Sequence, residues 1–337
     1  MAGRKVRRTS RSVSMRRKGI KGLLYSIRHI KAFQILGKAL IYFVLICICF
    51  VYLEPILEMI SKSFMAAKDL VDPSIKWIPK NITLDNFKAA AETLSIANFK
   101  KISEEGLAAL ADNSLFNSIW ISGLFALAQT IVSSFTGFAL SRYKFKGKSF
   151  WFGMIILAFI LPIPLLTIPR VIEFSFFGDL IGYNVFNTII PQFTMAILGQ
   201  GTYSTILILI FYNFFNMIPT SLDEAAMIDG AGAIKVFYHV AIRLSLSTIL
   251  VVFMLAFVFN WNEQYQTNTY MKSAFALLPN KLAAFDGELT KNGAADSVNE
   301  AYQMAATLIS IAPLMVLYAL VQKRFIEGIE NAGITGE

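Results

Sequence analysis

Two long stretches free of charge constrain this chain more than any other feature. No Asp, Glu, Lys or Arg occurs from Leu180 to Leu222, and none from Leu244 to Asn262. A helix that crosses the bilayer core needs about 20 mostly apolar residues. In lipid the backbone must also satisfy its own amides, which a helix does and an open strand does not. Six runs reach the required length: Ala39–Ile60, Ile119–Leu140, Phe150–Pro169, Ile189–Tyr212, Leu244–Asn262 and Ala301–Val321. The fourth holds the polar, glycine-broken segment AILGQGTYST in its middle. Hydrophobic residues fill 55% of the 337 positions and charged residues only 16%, far from the balance of a soluble chain. The expectation is an all-α integral membrane protein with six transmembrane helices.

The charges that remain orient those helices. Residues 1–37 read as a basic arm and residues 38–337 as the membrane domain. Twelve Lys and Arg, and no acid, lie between Met1 and Lys38. The second and third runs are joined by SRYKFKGKSF, with Arg142, Lys144, Lys146 and Lys148, and the sixth is followed by Lys323 and Arg324. By contrast, residues 61–118 balance seven bases against seven acids, and residues 263–300 hold three bases and five acids. The excess of bases on cytoplasmic flanks predicts that both termini are cytoplasmic and that these two segments are outer loops. The net charge of +9 then calls for no nucleic acid, because it sits beside a span, where it serves topology and attraction to anionic lipid.

The first run reads as a retained span, since EPILEMISKSF follows it without a small-x-small cleavage site. Before it, GIKGLLYSIRHIKAFQIL fits either an amphipathic surface helix or a flexible tail. Within the outer loops, WIPKNITLDNF reads as extended or turn structure, ANFKKISEEGLAALAD as a short helix and DGELTKNGAADS as turn-rich. The two cysteines, Cys47 and Cys49, lie inside the first run, and the two histidines are His29 and His239, so no metal site is expected. No G-x-x-x-x-G-K-[ST] loop occurs, so no nucleotide site is expected on this chain.

Between the fourth and fifth runs stands SLDEAAMIDGAGAIKVFYHV, starting at Ser221. Ser221 precedes Glu224 by three residues, the spacing of a capping box, which predicts a helix from Leu222. Asp229-Gly230 offers a turn, because glycine tolerates the left-handed backbone that closes helices. AIKVFYHVAI then resumes a helical pattern, with Ile234, Phe237, Tyr238, Ala241 and Ile242 largely on one side. The reading over residues 221–243 is helix–turn–helix. Its small residues permit close backbone approach, which suits a loop that docks into another subunit.

This stretch resembles the EAA loop of permease subunits in binding-protein-dependent ABC importers, a pattern of roughly E-A-A-x-x-D-G-A-x-x-x-x-x-F. Glu224, Ala225, Ala226, Asp229, Gly230, Ala231 and Phe237 fall in its register. EPILEMISKSF followed by WIPKNITLDNF is similar to the first span and outer segment of carbohydrate permeases of the maltose type. FNSIWIS, GFALSRYKFKGK and VFNTII are similar in order, and KRFIEGIENAGITGE resembles the family's closing segment. The resemblance runs from about Leu40 to the end. Arg243 and Ser247 stand where the family usually has prolines, and the arm and residues 89–112 are longer than typical.

The resemblance implies the core fold of ABC importer permeases, import of a sugar or oligosaccharide, and a short helix that couples to an ATPase. It implies no cofactor on this chain, with ATP and magnesium held by partner ATPase subunits. The partners implied are a second permease subunit, two ATPase subunits and an extracellular solute-binding protein, in the membrane of a prokaryotic cell. An importer of a non-sugar solute is the nearest alternative. A membrane glycosyltransferase would need clustered carboxylates, and no D-x-D or E-x-x-H occurs. An ion-coupled transporter would favour charges within the spans, and the second to sixth runs carry none. Gln192, Gln200 and Tyr203 in the fourth run, and Asn260 and Asn262 at the end of the fifth, are candidates for the translocation path, because amides and aromatics suit sugar hydroxyls and ring faces. They equally suit helix–helix hydrogen bonds and interfacial belts. Glu54 and Glu58, a turn apart at the outer rim of the first run, are ionisable candidates that more often meet water.

Overall fold

The structure is a computed structural model that describes residues 31–96, 106, 108–272, 274–287 and 296–334. The readings for the basic arm before Lys31, for most of ANFKKISEEGLAALAD and for ELTKNGAA fall outside the described residues. The chain divides into two units, residues 1–61 and 62–337.

The first unit is built on helix α1 (Lys31–Ser63), which contains the first apolar run. Leu40, Ile41, Phe43 and Val51 along it are 60 to 65% exposed. A helix with apolar residues on every side belongs in lipid or against other spans rather than in water.

In the second unit, short helices α2 (Ala67–Val71) and α3 (Asp85–Thr93) order the segment that follows the first apolar run. The buried Asp69 carboxylate accepts bonds from the backbone amides of Lys80 and Asn81 and from the Asn81 side chain, each at 2.7 Å. These bonds, with a single bridge between Met65 and Ile82, hold the segment around Pro79 in its extended path.

Helix α4 (Ser114–Arg142) is the centre of the unit. Asn113 starts it, its Oδ1 accepting from the amides of Leu115 and Phe116 at 3.0 and 3.2 Å. Against α4 pack α8 (Ser204–Met217) and α11 (Leu246–Trp261), and α11 in turn meets α14 (Asp296–Ile334). The seam is made of small and aromatic residues: Ala126, Phe138, Phe211, Phe215, Ala256, Phe257, Ala305 and Ala306 are all buried in one cluster. A Cβ at Gly137 would stand 2.6 Å from that of Phe211, so glycine is what lets α4 and α8 approach.

Among the described residues three helices are long and apolar enough to cross a membrane, Leu36–Ser63, Ser114–Arg142 and Glu300–Lys323, and the number reaches six when each of three bent helix pairs is one span. The bends differ from the expected straight runs. The run 150–169 is split into α5 (Lys148–Ile160) and α6 (Ile163–Ile181), turned by 110° at Leu161–Pro162. Proline disfavours the helical region for the residue before it, and Leu161 is extended. Helix α6 also continues twelve residues past Pro169, the end the sequence suggested. The run 189–212 is α7 (Ile190–Ile197) and α8, separated by Leu198–Tyr203. The run 244–262 begins at Leu246, after a bend of 82° at the buried Ser245. Two further helices, α12 (Tyr265–Tyr270) and α13 (Leu278–Ala283), lie between the fifth and sixth apolar runs.

Candidate functional sites

The loop between α8 and α11 folds as two short helices, α9 (Thr220–Ile228) and α10 (Ala233–Leu244). The capping box expected from Ser221 and Glu224 does not form. Helix α9 starts at Thr220, with Pro219 in the N-cap position and no side-chain cap bond. Contacts from a distant helix set this start instead. Arg142, the last residue of α4, donates from Nη2 to the Ile218 carbonyl at 2.8 Å, and its Nε lies 2.8 Å from Asp223 Oδ2. Both side chains are about nine-tenths buried. Burial pushes the Asp223 carboxyl above its usual range, Arg142 draws it back, and the charge of Glu224 adds to the push. The pair fastens the short helix to the end of α4 while Glu224 and Ala225 remain exposed.

Helix α9 closes as the sequence predicts. Gly230 has φ +83°, its amide donates to Met227 O at 3.0 Å, and the Ala231 amide donates to Ala226 O at 2.9 Å. This is the double-bonded left-handed closure that glycine favours. Space is not the constraint there, since nothing lies within 4 Å of a Cβ added at Gly230. In α10 a π turn spans Phe237–Ala241. Phe237 is buried, stacked on Phe135 of α4 at 4.3 Å between ring centroids and tilted against Phe138 at 5.1 Å. It is the second anchor of the loop. The expected one-sided face is divided, with Phe237 and Ala241 buried and Ile234 and Tyr238 exposed. A π turn changes the residues per turn and so shifts the face. Ile228 is 87% and Ile234 71% exposed.

The other irregular region is the break at Leu198–Tyr203. Gly199 has φ +70° and Tyr203 φ +52°. Gln129 of α4 reaches into the break, donating from Nε2 to Thr202 O at 3.2 Å and to Ser204 Oγ at 3.0 Å. Its Oε1 accepts from Asn260 Nδ2 at 2.7 Å. One buried amide thus joins α4, the break and α11. Arg170 of α6 donates to the carbonyl and Oε1 of Gln200 at 3.3 and 3.1 Å.

The five translocation candidates do not form one constellation. Gln200 and Tyr203 line a cavity of about 950 Å³, whereas Gln192 and Asn260 line a second pocket with room for about one water. Gln192 donates to Thr267 Oγ1 at 3.3 Å. Asn262 is exposed and donates to Val258 O in its own helix. The sequence reading passed over four residues that organise these sites. Arg142 counted only as a flanking charge, and Asp223 was not singled out. Gln129 was a lone amide in an apolar run, a signal that could have been followed. Arg170 fell one position beyond the assigned end of the third run.

With this architecture in place, the comparisons with known proteins agree. Residues 129–331 match the family of binding-protein-dependent transport system inner membrane components. The chain is 27% identical to the arabinooligosaccharides transport system permease protein AraQ of Halalkalibacterium halodurans, over 86% of this chain and 93% of that one. It is 25% identical to the sn-glycerol-3-phosphate transport system permease protein UgpE of Yersinia enterocolitica, over 65% of this chain and 72% of that one. A crystal structure of a bacterial ABC transporter involved in the import of the acidic polysaccharide alginate shares the fold, with a TM-score of 0.65 over 88% of this chain and 99% of that one at 19% identity. The fold and the loop define a membrane subunit of an importer. The chain belongs to the family of binding-protein-dependent transport system inner membrane components.

Proposed function

We propose that this chain is the permease subunit of an ABC importer for an oligosaccharide and that residues 221–243 couple it to an ATPase. The observation that carries the coupling role is the loop's division of labour. Arg142–Asp223 and Phe237 lock it to α4, while Ile228 and Ile234 stay exposed on its short helices. Two large apolar side chains left uncovered on one short loop suit a groove on a partner. Closure of the ATPases would then move α4, α8 and α11 as rigid bodies. Glu224, Ala225, Ala226, Asp229, Gly230 and Ala231 form the docking surface, and Phe237 holds it in place.

The assembly that fits this reading contains a second permease subunit, two ATPase subunits that hold ATP and magnesium, and an extracellular solute-binding protein. The basic flanks favour cytoplasmic termini in a prokaryotic cell membrane, with residues 61–118 and 263–300 outside. Support for an oligosaccharide comes from the arabinooligosaccharide permease AraQ among the relatives.

The test is ATP-driven uptake into proteoliposomes carrying the complete importer, with labelled neutral oligosaccharides and labelled sn-glycerol 3-phosphate offered separately. Oligosaccharide accumulation is the expected result. Accumulation of sn-glycerol 3-phosphate alone would contradict the substrate reading. For orientation, a cysteine at Asn81 should react with a membrane-impermeant thiol reagent on intact cells, and one at Gly232 should not.

A further inference from the structure

The cavity of about 950 Å³ holds an unspent cation. Its walls come from the second half of α4, from α5, from the start of α6 and from the break before α8, and they are mostly apolar. Arg170 is the one charged residue among the described residues that line it. Only Nη2 of its guanidinium is engaged, by Gln200. Among the described residues Nε and Nη1 make no hydrogen bond and no ion pair reaches Arg170, although Glu173, one turn further along α6, and Tyr270 act on its charge. A guanidinium offers five donors in a planar fork that matches the two oxygens of a carboxylate or phosphate. A cation within a membrane domain is costly and is typical of a ligand pathway.

The break supports the same conclusion independently. Irregular backbone within a membrane domain is tolerated where it lines a cavity, and transporters bind solutes at such broken helices. Here Gln129 satisfies the inner side of the break, at Thr202 and Ser204, and leaves the Gln200 carbonyl to Arg170. The guanidinium is therefore positioned by both the carbonyl and the side-chain oxygen of Gln200. Tyr203, 47% exposed, leans on Phe259 at 4.9 Å between ring centroids and lines the same cavity. An aromatic face and a cation in one cavity suit a sugar ring that carries an acidic group.

We propose that this cavity is a ligand site in which Arg170 holds a carboxylate or phosphate, with a saccharide ring against Tyr203. The inference rests on the oligosaccharide reading and narrows it to acidic sugars at this point of the path. The probes are a 4-linked diglucuronide and its carboxyl-reduced, neutral disaccharide, titrated by saturation-transfer NMR into the complete importer in phosphatidylcholine nanodiscs. Wild type should bind the diglucuronide about ten-fold more tightly than the neutral sugar, the range expected for a charge-assisted hydrogen bond. Arg170→Gln should abolish that preference and Arg170→Lys should keep part of it, read in each variant as the ratio of the two affinities.

Unchanged preference in Arg170→Gln overturns the proposal. So does loss of the second permease subunit from the complex in that variant, which would make Arg170 a subunit contact. In nanodiscs containing phosphatidylglycerol, Arg170-dependent retention of that lipid and displacement of the diglucuronide would assign the anion to a headgroup and overturn the saccharide site. Wild-type binding of the neutral sugar without any preference leaves the oligosaccharide reading standing and removes this one. Binding of neither sugar by wild type counts against both.

Discussion

The chain breaks its helical backbone at two glycine-bearing places, and it completes them in opposite ways. At Leu198–Tyr203 the freed groups are taken up inside the molecule, with Gln129 bonded to Thr202, Ser204 and Asn260. A Cβ at Gly201 would land on the Gln129 amide. At Asp229–Gly232 the turn closes on its own two backbone bonds, and a Cβ at Gly230 would meet open space. The first break is finished within the chain. The second leaves Ile228 and Ile234 uncovered. Gly201 thus serves packing inside the chain, whereas Gly230 serves the left-handed closure of a turn that stays exposed.

Substitution should separate the two breaks most strongly at the glycines themselves. Gly201→Ala should cost about 3–5 kcal/mol, combining overpacking with displaced buried hydrogen bonds. The expected readout is a large fall in the thermal midpoint and in yield of the membrane-extracted protein. A midpoint within a degree or two of wild type would mean that the break is looser than its contacts imply.

Arg142→Met should cost about 3 kcal/mol at neutral pH, because Asp223 would be left buried and unpaired. The sign of its pH dependence follows from the raised Asp223 carboxyl. A carboxyl that is higher in the folded protein contributes stability that is fully present below its free range and is lost as pH rises through the folded value. Removing Arg142 raises it further, so the deficit of the variant should shrink on acidification towards pH 4 and widen towards pH 7. Thermal midpoints of both proteins across that interval check this, and a constant deficit would exclude the ion pair as the cause. Gly230→Ala should cost only about 1–2 kcal/mol, from the left-handed backbone alone, with yield close to wild type.

Much of the exposed break was legible in the sequence because its determinants are local. Gly230 lies one residue after the acid that ends α9, and the left-handed closure needs no partner beyond four residues. The E-A-A to Phe237 register also lies within fourteen residues. The start of α9 was misjudged because a distant residue decides it: Arg142 holds Ile218 and Asp223, so a local capping box has no role. The buried break was visible only as a polar interruption, since its partner Gln129 is contributed by another helix. The bend at Leu161–Pro162 did leave a signal, two prolines in LPIP, which was overridden by the apolar length of the run. Arg170 was missed for the same reason, since an assigned end at Pro169 excluded the helix that continues through it.

The central claim is that the exposed break transmits ATP hydrolysis to the membrane helices, and Glu224 tests it most directly. Glu224 is exposed and does not cap α9, so Glu224→Gln should leave the thermal midpoint within a degree of wild type. If the carboxylate meets the ATPase subunit, ATP-driven oligosaccharide uptake by proteoliposomes of the complete importer should fall at least ten-fold, while the ATPase still copurifies and hydrolyses ATP. Wild-type uptake with Glu224→Gln and with Gly230→Leu, at normal copurification, would contradict the account.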